Sequence, residues 1–169
     1  MTITATPLTP IALTPEAFAP YGDVIESAGE PDMIINQGLC GRYHDRARLD
    51  LEHEDGRAGI SLFKAEARSL PYTLNMMERH PLGSQAFLPM TADPFLVIVA
   101  DDLDGRPHDP KAFLTAPGQG VNYRRGTWHG VLTPLHEPGL FAVVDRIGPG
   151  ENLEEHWFNE PYEITRTGD

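Results

Sequence analysis

The chain has 169 residues, 40% of them hydrophobic, and a net charge of −12 from 13 Lys and Arg against 25 Asp and Glu. This length and composition predict one globular domain over residues 1–169, and the acidic balance argues against nucleic acid, whose partners need a basic surface. No apolar run is long enough to cross a bilayer, no secretory signal is visible, and the single Cys40 excludes an internal disulfide. We therefore expect a cytoplasmic protein without a membrane partner.

The first predicted element is a short helix in the stretch "TPEAF". Thr14 is a suitable N-cap, Pro15 fits the first helical position, and Glu16 lies at the positive end of the helix dipole. Gly22 is expected to end this helix.

Short β-strands separated by turn residues are predicted for most of the remaining chain. The predicted strands are "DVIE", "CGRYH", "AGISLFKA", "YTLNMMERH", "FLVIVA", "KAFLT", "GVNYR", "HGVLTPL" and "LFAVVDR". The stretch "FLVIVA" is apolar throughout, which is typical of a strand buried on both faces. The charged segment 101–110 is expected to be an exposed loop, and the tail "NLEEHWFNE" a short helix. The pattern as a whole predicts an all-β sandwich or small barrel.

The strand predicted over residues 72–80 ends in polar side chains. Alternation along a strand places Glu78 and His80 on one face and Arg79 on the other. The face shared by Glu78 and His80 is expected to begin with Tyr72, Leu74 and Met76. After a turn at 81–83, Gln85 is expected to return beside His80. A buried carboxylate and imidazole are costly unless they are paired or bind a ligand, so this face is a candidate site.

The spacing of these residues resembles the first metal-binding motif of the cupin family, with Glu78, His80 and Gln85 in its ligand positions. The stretch "RRGTWH" is similar to the second cupin motif, because Gly126 and His129 keep its spacing. The resemblance implies a cupin-like β-sandwich or barrel, to which the sequence pattern adds the short N-terminal helix and the minor C-terminal helix. It leaves open whether the four polar residues hold a divalent metal such as Ni²⁺ or contact a substrate directly.

A closer resemblance covers most of the chain. The segments "INQGL", "RYHD", "ERHPLGSQAFLPM", "GQGVNYRRGTWHGVL" and "VVDR" occur in this order between residues 34 and 146. They resemble the ureidoglycolate lyase family, also called ureidoglycolate hydrolase. The resemblance implies a homodimeric carbon–nitrogen lyase that splits (S)-ureidoglycolate into glyoxylate and urea, as a step of allantoin and purine degradation that makes nitrogen available.

The residue types fit this chemistry. His80, His129 and Glu78 are the candidate catalytic residues, since imidazoles and carboxylates exchange protons near neutral pH. The carboxylate of the substrate needs a cation, and Lys64 is the first candidate, with Arg42 and Arg146 as alternatives. Further candidate substrate contacts are Gln85 and Tyr123.

Two other functions are compatible with the same motifs. One is a metal-dependent cupin oxygenase or isomerase acting on a small organic acid. The other is a cupin without catalytic activity that binds a small acid. Release of glyoxylate from ureidoglycolate separates both from a lyase.

Overall fold

A computed structural model describes residues 5–166, in which two β-sheets pack face to face. The strands in chain order are β1 Thr6–Leu8, β2 Ile11–Ala12, β3 Gly22–Ile25, β4 Met33–Ile35, β5 Cys40–Arg42, β6 Arg57–Ala65, β7 Tyr72–Arg79, β8 Gln85–Pro89, β9 Phe95–Leu103, β10 Arg106–Leu114, β11 Gly120–Tyr123, β12 Trp128–His129, β13 Thr133–Pro134, β14 Gly139–Ile147 and β15 Glu154–Ile164. Single 3₁₀ turns lie at Asn36–Gly38 and His53–Asp55.

The first sheet has the strand order β1-β15-β7-β12-β9-β10-β2, with β13 also paired to β9. The second sheet has the order β3-β11-β8-β14-β6, and β4 and β5 form a separate hairpin. This arrangement is the predicted cupin-like all-β sandwich. Among the described residues, no helix is both long enough and apolar enough to span a bilayer.

The α-helix α1 runs over Pro15–Phe18. Thr14 caps it as predicted, because its hydroxyl accepts a hydrogen bond from the backbone N–H of Ala17 at 3.2 Å. Phe18 is fully buried and anchors the helix in the core. Gly22 begins β3 rather than ending the helix, and a side chain there would collide with the backbone oxygen of Asn122.

The core is divided into two apolar layers by β9. Phe95, Val97 and Val99 face the interior between the sheets, whereas Leu96, Ile98 and Ala100 pack in a second cluster on the other face. The prediction that "FLVIVA" is buried on both faces is therefore confirmed. Each fully buried side chain of this size contributes about 1.5–3 kcal/mol relative to an exposed one.

Two predicted elements differ from the structure. The segment 101–110 is not a loop, because β9 and β10 extend into it and turn at Asp104 and Gly105, which both have positive φ. Asp-Gly is the pair that such a tight hairpin turn favours. The tail "NLEEHWFNE" is not a helix, because β7 offers it an antiparallel partner and it forms β15 instead.

The alternation expected along β7 is interrupted. Tyr72 and Leu74 pack in the same apolar cluster as Met77, so they lie on the face opposite to Glu78. The interruption coincides with a register shift in the pairing of β7 with β15, where four residues of β15, 158–161, have no partner opposite Asn75. From Met77 onward the expected order holds, with Arg79 on the outer face.

Candidate functional site

The pairing of β7 with β12 brings together two groups that are far apart in the sequence. Glu78 is the cross-strand partner of His129, and His80 follows directly after the end of β7. One ligand-type atom from each of Glu78, His80 and His129 lies within 4.8 Å of the others. We call these three residues the triad.

Each histidine of the triad is held by a carbonyl group. Nδ1 of His80 lies 2.7 Å from the backbone oxygen of Asn152, and Nδ1 of His129 lies 3.0 Å from that of Gly130. A carbonyl oxygen can only accept, so Nδ1 carries a proton in both rings, and Nε2 is the nitrogen that has a lone pair when the ring is neutral. Both Nε2 atoms are buried and have no hydrogen-bond partner among the described residues.

Burial also sets the protonation of the triad. It lowers the pKa of His129 to about 3, and the nearby His80 acts in the same direction, so His129 is neutral at physiological pH. Burial raises the pKa of Glu78, and the neighbouring Glu155 adds to this increase, whereas His80 opposes it.

Tyr123 lies against the triad from β11. Its ring is stacked on His129 with 4.3 Å between the ring centres and only 3° between the planes. Burial and the charge of Glu78 both raise the pKa of Tyr123, so the phenol stays protonated. Tyr123 is therefore a hydrogen-bond donor at this position.

A second polar group lies on the inner face of the second sheet. Tyr123, Gln85 and Asp145 occupy neighbouring positions across β11, β8 and β14. Nε2 of Gln85 donates to Oδ2 of Asp145 at 3.2 Å, and the Gln85 side-chain oxygen is buried and has no partner within residues 5–166. Tyr123 thus connects Gln85 and Asp145 with the triad.

The three cations predicted to bind the substrate carboxylate do not lie at the triad in this chain. Lys64 is exposed and alternates with Phe63, whose ring packs inward on Phe87, so it points to the outer face of the second sheet. Arg42 is exposed on the β4–β5 hairpin. Arg146 is buried, but it donates to the backbone oxygens of residues 53, 54 and 149. As substrate contacts, all three remain predictions.

Two residues of the site were not predicted from the sequence. Asp145 had a usable signal, because it continues the alternation of Phe141 and Val143, which both face the core. Asn152 had none, since it orients His80 from a loop 72 residues away. Its side chain also accepts a hydrogen bond from the backbone N–H of Leu82 at 2.7 Å, which fixes the turn after His80.

The donor set of the triad fits a divalent metal ion. Two imidazoles whose Nε2 atoms lack a hydrogen-bond partner in the described part of the chain, together with one carboxylate, are ligands that borderline transition metals accept. The carbonyl groups that hold both Nδ1 atoms are the usual outer partners of metal-binding histidines. A metal ion would also provide a partner for the two buried Nε2 atoms.

The size of surface crevices does not indicate this site. A crevice of about 560 Å³ is lined by residues 67–70, 135, 136 and 166, and another of about 500 Å³ lies on the outer face of the second sheet beside Asn122. Neither is lined by the triad. The site is identified instead by its buried polar atoms that lack partners.

A family profile and individual proteins of known name are both similar to this chain. The family profile described as ureidoglycolate lyase matches residues 5–165. A ureidoglycolate lyase of Rhodobacter capsulatus is 66% identical over 144 residues, which cover 85% of this chain and 89% of that protein.

Two further relatives have similar coverage. A ureidoglycolate lyase of a Chelativorans species is 57% identical over 90% of this chain and 92% of its own length. A protein of Rhizobium meliloti named ureidoglycolate lyase 2 is 53% identical over 90% of this chain and 93% of its own length.

Proposed function

The chain belongs to the ureidoglycolate lyase family, and from this membership we propose that it cleaves (S)-ureidoglycolate to glyoxylate and urea. The observation that carries the proposal is the triad, in which two imidazoles each have a buried Nε2 without a partner in the described chain, next to a carboxylate. Such unpaired buried groups cost stability, and they are retained where a ligand or a reaction uses them.

The reaction breaks one carbon–nitrogen bond. The substrate carbon bears a hydroxyl, a carboxylate and a ureido nitrogen. The hydroxyl proton leaves, its bonding electrons form the carbonyl of glyoxylate, the electron pair of the C–N bond moves to nitrogen, and a proton reaches that nitrogen to give urea. The reaction needs no oxidant, and its protons balance within the site.

We propose that Glu78, His80 and His129 hold a divalent metal ion such as Ni²⁺. When bound, this ion supplies positive charge for the substrate carboxylate and hydroxyl, and it makes the hydroxyl more acidic. An anionic substrate needs such a positive charge, because Glu78 is itself a carboxylate and Tyr123 contributes one hydrogen-bond donor.

Glu78 is the residue that we assign to the proton transfer. Its carboxylate lies beside the two imidazoles of the triad, where it is placed to accept a proton and to return it. A carboxylate has two oxygens, so one can belong to the triad while the other receives the hydroxyl proton and returns it to nitrogen. The Tyr123 hydroxyl donates a hydrogen bond to the substrate oxygen that loses its proton, where negative charge develops.

The test is to measure the metal content of the purified protein and glyoxylate release before and after chelation. We expect about one divalent ion per chain, loss of activity on chelation, and recovery when the metal returns. His80→Gln should lose the metal, whereas His136→Gln, an exposed histidine outside the site, should keep it. Full activity of the metal-free protein would refute the metal requirement, and absence of glyoxylate release from the metal-loaded protein would refute the lyase activity.

One observation favours a second function. Two histidines and one carboxylate are also the ligands of non-haem iron oxygenases. Oxygen uptake by the iron-loaded protein in the presence of a small organic acid would support an oxygenase. Membership of the ureidoglycolate lyase family favours the lyase over this second function.

We also propose a homodimer that acts in allantoin and purine degradation, in the cytoplasm. The outer face of β6 supports the dimer, because Ile60 and Leu62 are 78% and 66% exposed on a strand that ends its sheet. Sedimentation should give a dimer for the natural chain and a monomer for Leu62→Asp. A monomeric natural chain at micromolar concentration would contradict the dimer.

A further inference from the structure

Gln85 and Asp145 form a polar surface that the proposed reaction does not use. Both are on the inner face of the second sheet, in the same row of the sheet as Tyr123, whose ring is stacked on His129 of the triad. Gln85 is only 7% exposed. Gln85 and Asp145 thus continue, on the inner face, the row that begins with the ring stacked on His129.

The hydrogen bond between the two residues determines which atoms remain available. The Gln85 NH₂ group donates to Oδ2 of Asp145, so the Gln85 side-chain oxygen points elsewhere and is buried without a partner. The Asp145 carboxylate can only accept hydrogen bonds. Together the two side chains present acceptor oxygens and a negative charge.

The two ends of the substrate differ in their hydrogen-bonding groups. The carboxylate end has only acceptor oxygens and a negative charge, so Asp145 repels it. The ureido end has three N–H donors, and these match the free oxygens of Gln85 and Asp145. A buried acceptor without a partner costs free energy, which a donor of the substrate restores.

We infer that Gln85 and Asp145 are the subsite for the ureido group, so that the carboxylate and hydroxyl of the substrate face the triad. This inference rests on the proposed lyase function and specifies the orientation of its substrate. Such a subsite selects for substrates with free N–H groups, because an analogue without them leaves both acceptors unpaired.

The test compares the two products as inhibitors of glyoxylate release. Urea represents the ureido end of the substrate, and glyoxylate represents the carboxylate end. When glyoxylate is the inhibitor, its own release cannot be followed, so release of carbon-14-labelled urea is measured instead.

The first variant is Asp145→Asn. Its amide oxygen can keep the hydrogen bond from Gln85 while its NH₂ group turns toward the substrate, so an acceptor becomes a donor. We expect the inhibition constant for urea and the KM for ureidoglycolate to rise about 10- to 100-fold, the cost of one hydrogen bond to a charged group. The inhibition constant for glyoxylate should change less than threefold.

A second variant and a control complete the experiment. Gln85→Leu removes the unpaired oxygen and should weaken urea inhibition in the same direction, and thermal midpoints establish that both variants are folded. Asp104→Asn makes the same charge change at an exposed hairpin turn with positive φ, which Asn tolerates, and should leave both inhibition constants unchanged.

The outcomes separate the inference from the proposed function. If the natural chain releases no glyoxylate, the proposed function fails. If it does, but folded Asp145→Asn and Gln85→Leu bind urea as the natural chain does, the subsite is wrong. A selective loss of glyoxylate inhibition in the same variants would show that the substrate is oriented the other way and would overturn the inference.

Discussion

Polar side chains lie on both the inner and the outer face of the sheet around β7 and β12, but the inner ones are only partly hydrogen-bonded. On the inner face, His80 and His129 each have a buried Nε2 without a partner among residues 5–166. On the outer face, the Arg79 guanidinium lies 4.5 Å from the centre of the Trp128 ring and donates to Asp102 and Glu154 at 2.8 and 2.5 Å.

Polar groups in neighbouring positions therefore serve two purposes: the outer ones stabilise the fold, and the inner ones are available to a ligand. Arg79 joins four strands, because Trp128 is on β12, Asp102 on β9 and Glu154 on β15. These contacts favour the folded state. The inner face leaves its lone pairs free, which costs stability and keeps them available for a ligand. We therefore expect inner substitutions to change activity and outer substitutions to change stability.

The largest effect is expected on the inner face. His80→Gln and His129→Gln should each lower glyoxylate release by about 100-fold or more, the scale of losing a positioned catalytic group. The double variant should lose little more than either single one, because residues that act as a unit are not additive. Near-normal turnover of a folded His80→Gln variant would contradict the assignment of the inner face.

A smaller effect, of a different kind, is expected on the outer face. Arg79→Ala should lower the free energy of unfolding by about 1–2 kcal/mol, from the lost stacking on Trp128 and two half-exposed ion pairs. For a chain of this size that corresponds to roughly 2–8 °C in Tm. The turnover should remain within about threefold of the natural chain. Arg79→Lys is the control, because it keeps the charge but loses the planar stacking. Its Tm should lie between that of the natural chain and that of Arg79→Ala. An unchanged Tm with abolished turnover would reverse the roles of the two faces.

The smallest effect concerns the pH dependence of the outer contacts. The hydrogen bond from Trp128, above all, lowers the pKa of Asp102, and Arg79 contributes in the same direction. A carboxyl group with a lowered pKa in the folded state stabilises the protein above its ordinary pKa, and this contribution disappears as the pH falls through the folded value. Asp102→Asn should therefore have a lower Tm than the natural chain at pH 7, and the difference should shrink below about pH 4. A difference in Tm that stays constant from pH 7 to pH 3 would exclude this role of Asp102.

The sequence determined the fold and part of the site through local signals. Alternating and continuous apolar stretches predicted most of the strands, and Thr14 with Pro15 predicted the helix α1. Two spaced motifs singled out Glu78, His80 and His129, which the structure brings within 4.8 Å of one another. The strand and helix predictions succeeded because side-chain alternation and capping depend on neighbouring residues, whereas the catalytic roles of the three residues remain predictions.

Tertiary structure decided what depended on distant partners. The tail became β15 because the edge of β7 was available to pair with it, and the pairing shift at Asn75 moved Tyr72 and Leu74 to the other face. Likewise, Lys64 follows Phe63 on a strand whose inner face packs on the core, so its charge points outward. Asp145 reached the site only through the pairing of β14 with β8. Such positions follow from which strands become neighbours, and that depends on burying the apolar faces of the whole chain at once.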